Sequence, residues 1–348
     1  MSASPEIFRI PPGTMYHMPD VGDRLPWLLS PYAEDAYALA MAWANPYMAP
    51  RFGQSLTKLI CAELQDWASH VFPLADAERM ALLCKTSLVF ITVDDAFTRT
   101  GLRDDLDGSR RRVEAFVSVL QGERPPASEL DLSMLWEEME RMALAAPPAW
   151  YRRYVARTID VMRSTTREAE QRLEAQVLSW DDYIDFRRVN LYGFWVTGLA
   201  DFAVRTDATG LLAEHAELLE LELIAVDHIL FHNDLYSFTK EAAIGEQANA
   251  VWLLRRDGAS LQEAVDHLAS LVRSREDEFL LLRDKILAGP LGTSADVRSY
   301  LNSLTYLVGG SLRYHQTSGR YHGPHYAGAP VTGGTVTFTG TGNSFVPD

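Results

Sequence analysis

The chain has 348 residues, of which 47% are hydrophobic and 23% are charged, as in ordinary soluble globular proteins. Its formal net charge of -15 argues against an extended basic surface for nucleic acid or for an anionic membrane. An anionic substrate is not excluded, because a local arginine cluster and bound divalent cations can reverse the sign of the charge inside one cavity.

Residues 1–25 are rich in proline and glycine and predict an irregular arm on the surface. This N-terminal segment lacks the basic start and the apolar core of a signal peptide, and the hydrophobic runs further on are too short to span a membrane. The two cysteines, Cys61 and Cys84, both lie in helical-looking stretches, which argues against a disulfide framework. We therefore expect a soluble, cytoplasmic protein.

Residues 26–321 predict one helical domain, because hydrophobic residues recur there at helical rather than alternating spacing. The length of the chain would allow two domains, but the segment contains no internal repeat and no long linker, which favours one large domain and leaves two as the alternative. Helix-start signals occur at three serines that are followed by acidic residues, namely Ser128, Ser179 and Ser260. The fold class is therefore predicted to be all-α, with about ten helices as a rough estimate from these signals.

Residues 322–348 are rich in glycine and threonine and predict a mobile or weakly ordered C-terminal tail. The run Thr-Val-Thr-Phe-Thr within the tail has some strand propensity, but glycines flank it on both sides. We expect both chain ends to lie outside the helical domain.

Three oxygen-bearing side chains, Asn233, Ser237 and Glu241, stand four residues apart in a helical stretch. At roughly 100° per residue they advance by only about 40° per step, so they lie on one helix face. Oxygen ligands of mixed charge suit a hard cation such as Mg²⁺ or Mn²⁺. The alternative is a polar stripe on a solvated helix, but the strongly hydrophobic run from Leu223 to Phe231 indicates a buried helix, on which polar groups need partners.

The run from Asn233 to Glu241 fits the pattern (N/D)Dxx(S/T)xx(K/R)E at every defined position and resembles the second metal motif of microbial class I terpene synthases. This resemblance implies a single-domain α-helical bundle of the class I terpenoid synthase type with a central active-site cavity. It also implies that Asn233, Ser237 and Glu241 bind one magnesium ion and that Lys240 contacts a diphosphate.

The segment Asp94-Asp95-Ala-Phe-Thr98 resembles the aspartate-rich motif DDxx(D/E) of the same family. The resemblance implies that Asp94 bridges two magnesium ions and that Asp95 supports it. Thr98 departs from the pattern at the third acidic position. Three following aspartates either replace the missing acid or belong to a solvated loop: Asp104, Asp105 and Asp107.

Arg187 follows Tyr183 and precedes Asn233 by 46 positions, which resembles the diphosphate-sensor segment of the family. Arginine suits this role because its fixed fork binds phosphate oxygens in pairs. Arg188 is the alternate sensor, and the one that is not the sensor would form a surface ion pair. The family has a helix break after the sensor; Gly193 is the candidate for it here, and the identity of the carbonyl exposed at the break stays open.

Arg320 and Tyr321 resemble the family's C-terminal Arg-Tyr pair, in which the arginine binds diphosphate and the tyrosine closes the site. Arg313 and Tyr314 form a second such pair seven residues earlier. We prefer the later pair because it ends the helical region. The predicted catalytic residues are therefore Asp94, Arg187, Arg320 and Tyr321.

A carbocation requires a dry cavity with π surfaces. Five aromatic residues near these motifs are candidates for the lining, with plain core packing as the alternative for each: Phe90, Phe97, Phe194, Trp195 and Tyr306. His232 is predicted to be a packing or hydrogen-bonding residue, because hard cations rarely recruit imidazole.

The resemblance implies ionisation of a linear prenyl diphosphate by three Mg²⁺ ions together with Arg187, Lys240 and Arg320, followed by cyclisation to a terpene hydrocarbon or alcohol. Farnesyl diphosphate (C15) is the expected substrate, and geranylgeranyl diphosphate (C20) is the next candidate. A chain-elongating prenyltransferase would carry a second aspartate-rich motif in place of Asn233, Ser237 and Glu241. A non-catalytic helical protein that binds a diphosphate or a partner is the other alternative. The oligomeric state is open, with a homodimer as one option.

Overall fold

The computed structural model describes residues 10–22, 24–98, 105–174, 176, 178–243, 248–323, 326, 329–340 and 342–348. The side chains of residues 91 and 93–98 lie outside the described part. The helices are α1 (Ala33–Val71), α2 (Ala77–Thr98), α3 (Leu106–Leu120), α4 (Leu130–Ala145), α5 (Pro148–Leu173), α6 (Trp180–Asn190), α7 (Gly193–Thr197), α8 (Ala200–Ala203), α9 (Thr209–Glu214), α10 (Ala216–Ala243), α11 (Ala250–Arg256), α12 (Leu261–Ala288), α13 (Ala295–Thr317) and α14 (Gly319–His322). The strands are β1 (Met15–Met18), β2 (Gly334–Phe338) and β3 (Asn343–Pro347). The prediction of an all-α fold is confirmed.

Two of the three predicted helix starts are capped as expected. Ser179 accepts a hydrogen bond from the amide of Asp182, and Ser260 forms a reciprocal capping box with Glu263. The prediction for Ser128 is wrong, because α4 begins at Leu130 with Glu129 in the cap position. None of the helices in the described ranges combines the length and the hydrophobicity that a membrane span needs.

Helix α10 forms the centre of the bundle and packs against α12 and α13. From Ile224 to Phe231 its residues are buried on all sides, whereas Leu219 and Glu220 near its start are exposed. The buried part exposes no face to water, so each polar side chain on it must find a partner within the protein. The polar residues that follow Phe231 lie on the continuation of this buried helix.

Helix α1 bends at Gly53, whose φ of 75° lies in the left-handed region that glycine adopts without strain. The part of α1 that follows the bend packs along α2 and α13. This placement brings Glu63, Leu64 and Trp67 to the central cavity described below.

The C-terminal tail is more ordered than its composition predicts. Strand β2 pairs antiparallel with both β1 and β3, so that the arm and the tail form one three-stranded sheet. Val336 and Phe338 alternate with threonines and are buried in a hydrophobic cluster that includes residues of α10, α11 and α12. The burial of this alternating face explains why the strand propensity prevails over the flanking glycines.

Glu138 on α4 is a fully buried carboxyl group. Burial raises its pKa to about 8, although Lys85 and Arg141 act in the opposite direction. Because folding raises the pKa of this carboxyl group above its usual value of 4.5, the group stabilises the folded state fully at pH values below 4.5. This contribution is lost as the pH rises towards 8. We therefore expect Glu138→Gln to stabilise the protein relative to the wild type at pH 9 but not at pH 5. Urea unfolding at both pH values checks this, and an equal difference at both would contradict it.

Candidate active site

A cavity of about 180 Å³ lies between α1, α2, the α6–α7 junction, α10 and the C-terminal helices. Its wall is mostly hydrophobic, with Leu64, Trp67, Leu191 and Val196 among the lining residues. The same wall carries a small polar set: Glu63, Ser87, Asn233, Arg320 and Tyr321. A hydrophobic cavity with a few convergent polar groups is the usual form of a small-molecule site.

Three aromatic rings meet in the cavity wall. The ring centroids of Phe90 and Trp195 are 4.9 Å apart, and those of Tyr192 and Trp195 are 5.9 Å apart, both in edge-to-face geometry. Two of the five aromatic residues predicted to line the cavity, Phe90 and Trp195, therefore lie in its wall. Tyr192 is a lining residue that the sequence analysis did not select.

The other three predicted aromatic residues are not among the described residues of the cavity wall. Phe194 is not among the residues that line this cavity, and its ring centroid lies 5.8 Å from the guanidinium carbon of Arg157. Tyr306 is half-buried on α13 and is not among the lining residues of the described cavity. The side chain of Phe97 lies outside the described part.

The break between α6 and α7 is made by Tyr192 rather than by Gly193. Tyr192 has a φ of 67°, a left-handed conformation that is uncommon for a bulky residue. Gly193 is needed for a different reason: a Cβ atom there would lie 2.6 Å from Cγ1 of Val226 and 2.8 Å from the carbonyl oxygen of Arg188. The absence of a side chain at Gly193 lets α7 pack closely on α10.

Two of the three predicted metal ligands on α10 point their oxygens at one cationic group. Nη2 of Arg187 donates to Oδ1 of Asn233 at 3.3 Å and lies 3.7 Å from Oε1 of Glu241. Ser237 lies one turn from each of them on the same helix and is buried. The oxygens of Asn233 and Glu241 therefore lie next to a positive charge, which is the environment that a set of oxygen ligands for a hard cation provides.

Within the described residues, no group of three or more histidine, cysteine, aspartate or glutamate side chains is placed to hold a metal ion. The set on α10 contains one carboxylate, one amide and one hydroxyl. It therefore offers three protein ligands to one ion and leaves the remaining coordination positions to water and to substrate phosphate oxygens.

Asp234 follows Asn233 and is completely buried. It accepts hydrogen bonds from the hydroxyl of Tyr183 at 2.5 Å, from Nε of Arg187 at 3.0 Å and from the amide of Ala250 at 2.9 Å. Burial raises the pKa of Asp234, while Arg187 opposes the shift. Asp234 thus fixes the position of Arg187, a role that the sequence analysis did not assign although the residue stands inside the motif.

A second chain of hydrogen bonds connects Arg187 to α5. Nη1 of Arg187 donates to Oδ1 of Asn190 at 3.1 Å, and Nδ2 of Asn190 donates to Glu168 at 2.8 Å. Arg187 is therefore held at three nitrogen atoms by buried partners, and its guanidinium lies in a defined orientation beside α10.

Arg188 does not share this position. It donates to both carboxylate oxygens of Asp227, at 2.7 and 3.0 Å, and to Asp185 at 2.7 Å. Since α6 is a helix, consecutive residues point in directions about 100° apart, and Arg188 is turned towards Asp227 instead of Asn233. The placement of Arg188 argues against its assignment as an alternate sensor.

The later Arg-Tyr pair lies at the cavity, as preferred from the sequence. Arg320 pairs with Glu63 of α1 at 3.3 Å, and the ammonium of Lys240 lies 5.8 Å from the ring centroid of Tyr321. Arg313 instead stacks at 4.6 Å over the ring of Trp27. The structure therefore brings Arg187, Lys240 and Arg320 to the region around Asn233, whereas Arg313 points elsewhere.

A buried histidine sets the orientation of Asn233. Nδ1 of His315 bonds to the carbonyl oxygen of Ser311 at 2.7 Å, which fixes the proton there, so Nε2 accepts from the amide nitrogen of Asn233 at 3.0 Å. Burial lowers the pKa of His315 to about 3, so the ring is neutral. His232 bonds to Ser311 at 3.0 Å and packs on His315, in line with its predicted packing role.

The aspartate-rich segment is described only in part. Asp94 and Asp95 occupy the last turns of α2, and their side chains, like that of Thr98, lie outside the described part, as does all of Asp104. Asp105 caps α3 by accepting from the amide of Gly108 at 2.9 Å. Asp107 is exposed in the first turn of α3. The contacts of Asp105 and Asp107 are made within α3, which argues against either residue as the third acid.

Comparison with known proteins places these features in a family. The model of terpene synthase family 2, C-terminal metal binding, matches residues 85–278. The chain is 24% identical over 286 residues to (+)-eremophilene synthase of Sorangium cellulosum, which covers 81% of the chain and 86% of that protein. It is 24% identical over 319 residues to (2Z,6E)-hedycaryol synthase of Kitasatospora setae, covering 88% and 93%. The fold is similar to that of germacradien-4-ol synthase from Streptomyces citricolor, with a TM-score of 0.73, 19% identity and coverage of 85% and 97%.

Proposed function

This chain belongs to the terpene synthase family, and we propose that it converts farnesyl diphosphate into a cyclic terpene hydrocarbon or alcohol with the help of three Mg²⁺ ions. It is a terpene cyclase that acts on a prenyl diphosphate and has the metal-binding domain of its family. The choice of the C15 substrate is supported by two further relatives that are named sesquiterpene synthases and are 26% and 24% identical to the chain.

One observation carries the proposal for the site. Oδ1 of Asn233 and Oε1 of Glu241 approach the same guanidinium group of Arg187 at the edge of a hydrophobic cavity. Lys240 and Arg320 add positive charge near this point. A carboxylate oxygen and an amide oxygen beside three basic side chains suit a substrate that arrives as a complex of diphosphate with divalent cations.

In this proposal, Asn233, Ser237 and Glu241 would hold one magnesium ion, and Asp94 with Asp95 of α2 would hold the others. Bound magnesium supplies positive charge that neutralises the diphosphate leaving group. Arg187, Lys240 and Arg320 bind the diphosphate oxygens and stabilise the charge that develops when the bond between C1 and oxygen breaks heterolytically. The diphosphate then stays at the polar edge of the cavity.

The hydrocarbon wall accounts for the second half of the reaction. Phe90, Tyr192 and Trp195 present π surfaces that stabilise a carbocation by cation–π attraction. The surrounding aliphatic residues exclude water, which would otherwise capture the cation early. Tyr321 lies between the cavity and Lys240 and closes the site over the bound substrate.

Product analysis tests this function. The purified chain is incubated with Mg²⁺ and with C10, C15 or C20 prenyl diphosphate, and extracts are examined by gas chromatography and mass spectrometry. We expect a cyclic product from the C15 substrate, its loss with a chelator and its return with added Mg²⁺. A longer prenyl diphosphate as product would indicate a transferase, and binding without turnover would indicate a non-catalytic protein; either result overturns the proposal.

The two ends of the aspartate-rich segment should differ in importance. We expect Asp94→Ala to reduce turnover strongly, because it removes a carboxylate that we assign to the metals, whereas Thr98→Ala should change the rate by only a few-fold. Initial rates at saturating Mg²⁺ and substrate measure both. The reverse order would show that the acidic ligand of α2 is misassigned.

The cysteines support a cytoplasmic location as part of this proposal. Cys61 and Cys84 are both buried and unpaired, and burial raises the pKa of each thiol to about 12. Such thiols are inert core residues with no role in a disulfide framework.

A further inference from the structure

Asn249 lies directly before α11, and its side chain is completely buried against α10. Its Oδ1 atom accepts a hydrogen bond from the amide of Val251 at 2.8 Å, which makes Asn249 the N-cap of α11. A backbone amide can bond only to the oxygen of the asparagine side chain. The nitrogen of the side chain must therefore point the other way, towards α10.

Nδ2 of Asn249 contacts two of the three predicted metal ligands. It donates to Oε2 of Glu241 at 2.9 Å and lies 3.4 Å from Oγ of Ser237. It also donates to the carbonyl oxygen of Asp234 at 2.9 Å. An NH₂ group has two hydrogens for these three acceptors, which explains why the contact with Ser237 is the longest.

The two carboxylate oxygens of Glu241 have different partners. Oε2 is held by Asn249, whereas Oε1 is directed towards Arg187. A glutamate side chain is flexible, and one fixed oxygen restricts the rotamers of the other. Asn249 brings no charge that would compete with a cation, and its own oxygen is committed to Val251, so it is not a ligand itself.

We propose that Asn249 is a positioning residue that presets Ser237 and Glu241 for metal binding. This inference rests on the proposed function, since it assumes that the set on α10 binds a divalent cation. Residues that orient metal ligands through hydrogen bonds typically change metal affinity by about 10- to 100-fold when they are replaced. The alternative is that Asn249 acts only as a helix cap.

Two substitutions separate these roles. Asn249→Ser keeps an oxygen that can cap α11 but is too short to donate to Glu241, and Asn249→Gly removes the side chain at a cap position where glycine is tolerated. Ser294→Ala is the matched control, because Ser294 caps α13 at the end opposite to the site. The control loses a cap but no contact with α10.

The measurement uses the full chain with MgCl₂ and inorganic diphosphate as probes. The unfolding temperature is recorded as a function of Mg²⁺ concentration at fixed diphosphate, and product formation is recorded over the same range. We expect both Asn249 variants to need about 10-fold more Mg²⁺ than the wild type for half-maximal stabilisation. Turnover should recover at saturating Mg²⁺, and Ser294→Ala should respond to Mg²⁺ as the wild type does.

The other possible results would contradict either the positioning role of Asn249 or the proposed function. Unchanged Mg²⁺ dependence in both Asn249 variants would overturn the positioning role and leave the proposed function intact. Failure of both variants to fold, while Ser294→Ala folds, would also overturn it, because Asn249 would then be a structural residue. A wild type that neither gains stability from Mg²⁺ and diphosphate nor forms product would instead refute the proposed function.

Discussion

Glu241→Ala should reduce turnover by about 10²- to 10³-fold or more, the range observed when one preorganised charge-stabilising group is removed from an active site. Glu241 is the carboxylate of the set on α10, so its loss takes away the only formal negative charge in that set. The fold should persist, because Arg187 keeps its buried partner Asp234. Asn233→Ala should have a similar effect on turnover.

Initial rates, together with the far-ultraviolet circular-dichroism spectrum, check this expectation. Glu220→Ala is the matched control, because Glu220 is an exposed glutamate on the same helix, several turns from the cavity. We expect the control to retain wild-type turnover. Near-normal turnover of Glu241→Ala with a normal helical spectrum would refute the metal assignment.

Arg187→Ala should impair both stability and turnover. The substitution leaves Asp234 buried without its cationic partner, and breaking such a buried ion pair typically costs about 3–5 kcal/mol. It also removes a group that we assign to the diphosphate. The loss of activity alone would therefore not show which role matters.

A double substitution separates the two roles. Asp234→Asn removes the buried charge, so Arg187→Met combined with Asp234→Asn should regain much of the lost stability without regaining turnover. Arg188→Ala is the control on the same helix: its partner Asp227 keeps Arg275 at 3.5 Å, and we expect a rate within a few-fold of the wild type. Urea unfolding and initial rates measure the two effects, and an active double variant would exclude Arg187 as a diphosphate ligand.

The sequence was sufficient to predict the one-sided face on α10, because residue spacing alone determines which side chains share a face of a helix. The choice of Arg320 over Arg313 followed from its place at the end of the helical region. In both cases the information is local, and the structure brings the predicted residues together at the cavity.

The opposite wall of the cavity could not be predicted in this way. Leu64 and Trp67 look like any hydrophobic residues on a helix, and their role depends on the bend at Gly53 and on the packing of α1 against α2. Asn249 was missed for the same reason, since it stands outside the metal motif and its contacts with Ser237 and Glu241 form only in the folded chain. Tertiary contacts of this kind leave no periodic signal in the sequence.

The strands of the tail illustrate a third limit. Their pattern was visible as Thr-Val-Thr-Phe-Thr, but a strand is stable only with a partner. The partner of Thr337 is Met15, more than 300 positions away. Composition alone therefore favoured a weakly ordered segment.

This pairing has a consequence for the order in which the protein is made. A ribosome releases β1 long before it synthesises β2, so β1 must wait for the strand with which it pairs. Contacts of such high sequence separation form late and slowly. Segments that are synthesised late therefore hold earlier ones in place, and Asn343, which contacts Thr239 and the backbone of Tyr321, joins this late step to the assembly of the catalytic centre. We therefore expect a nascent chain to complete the surroundings of Tyr321 only after Asn343 has been translated.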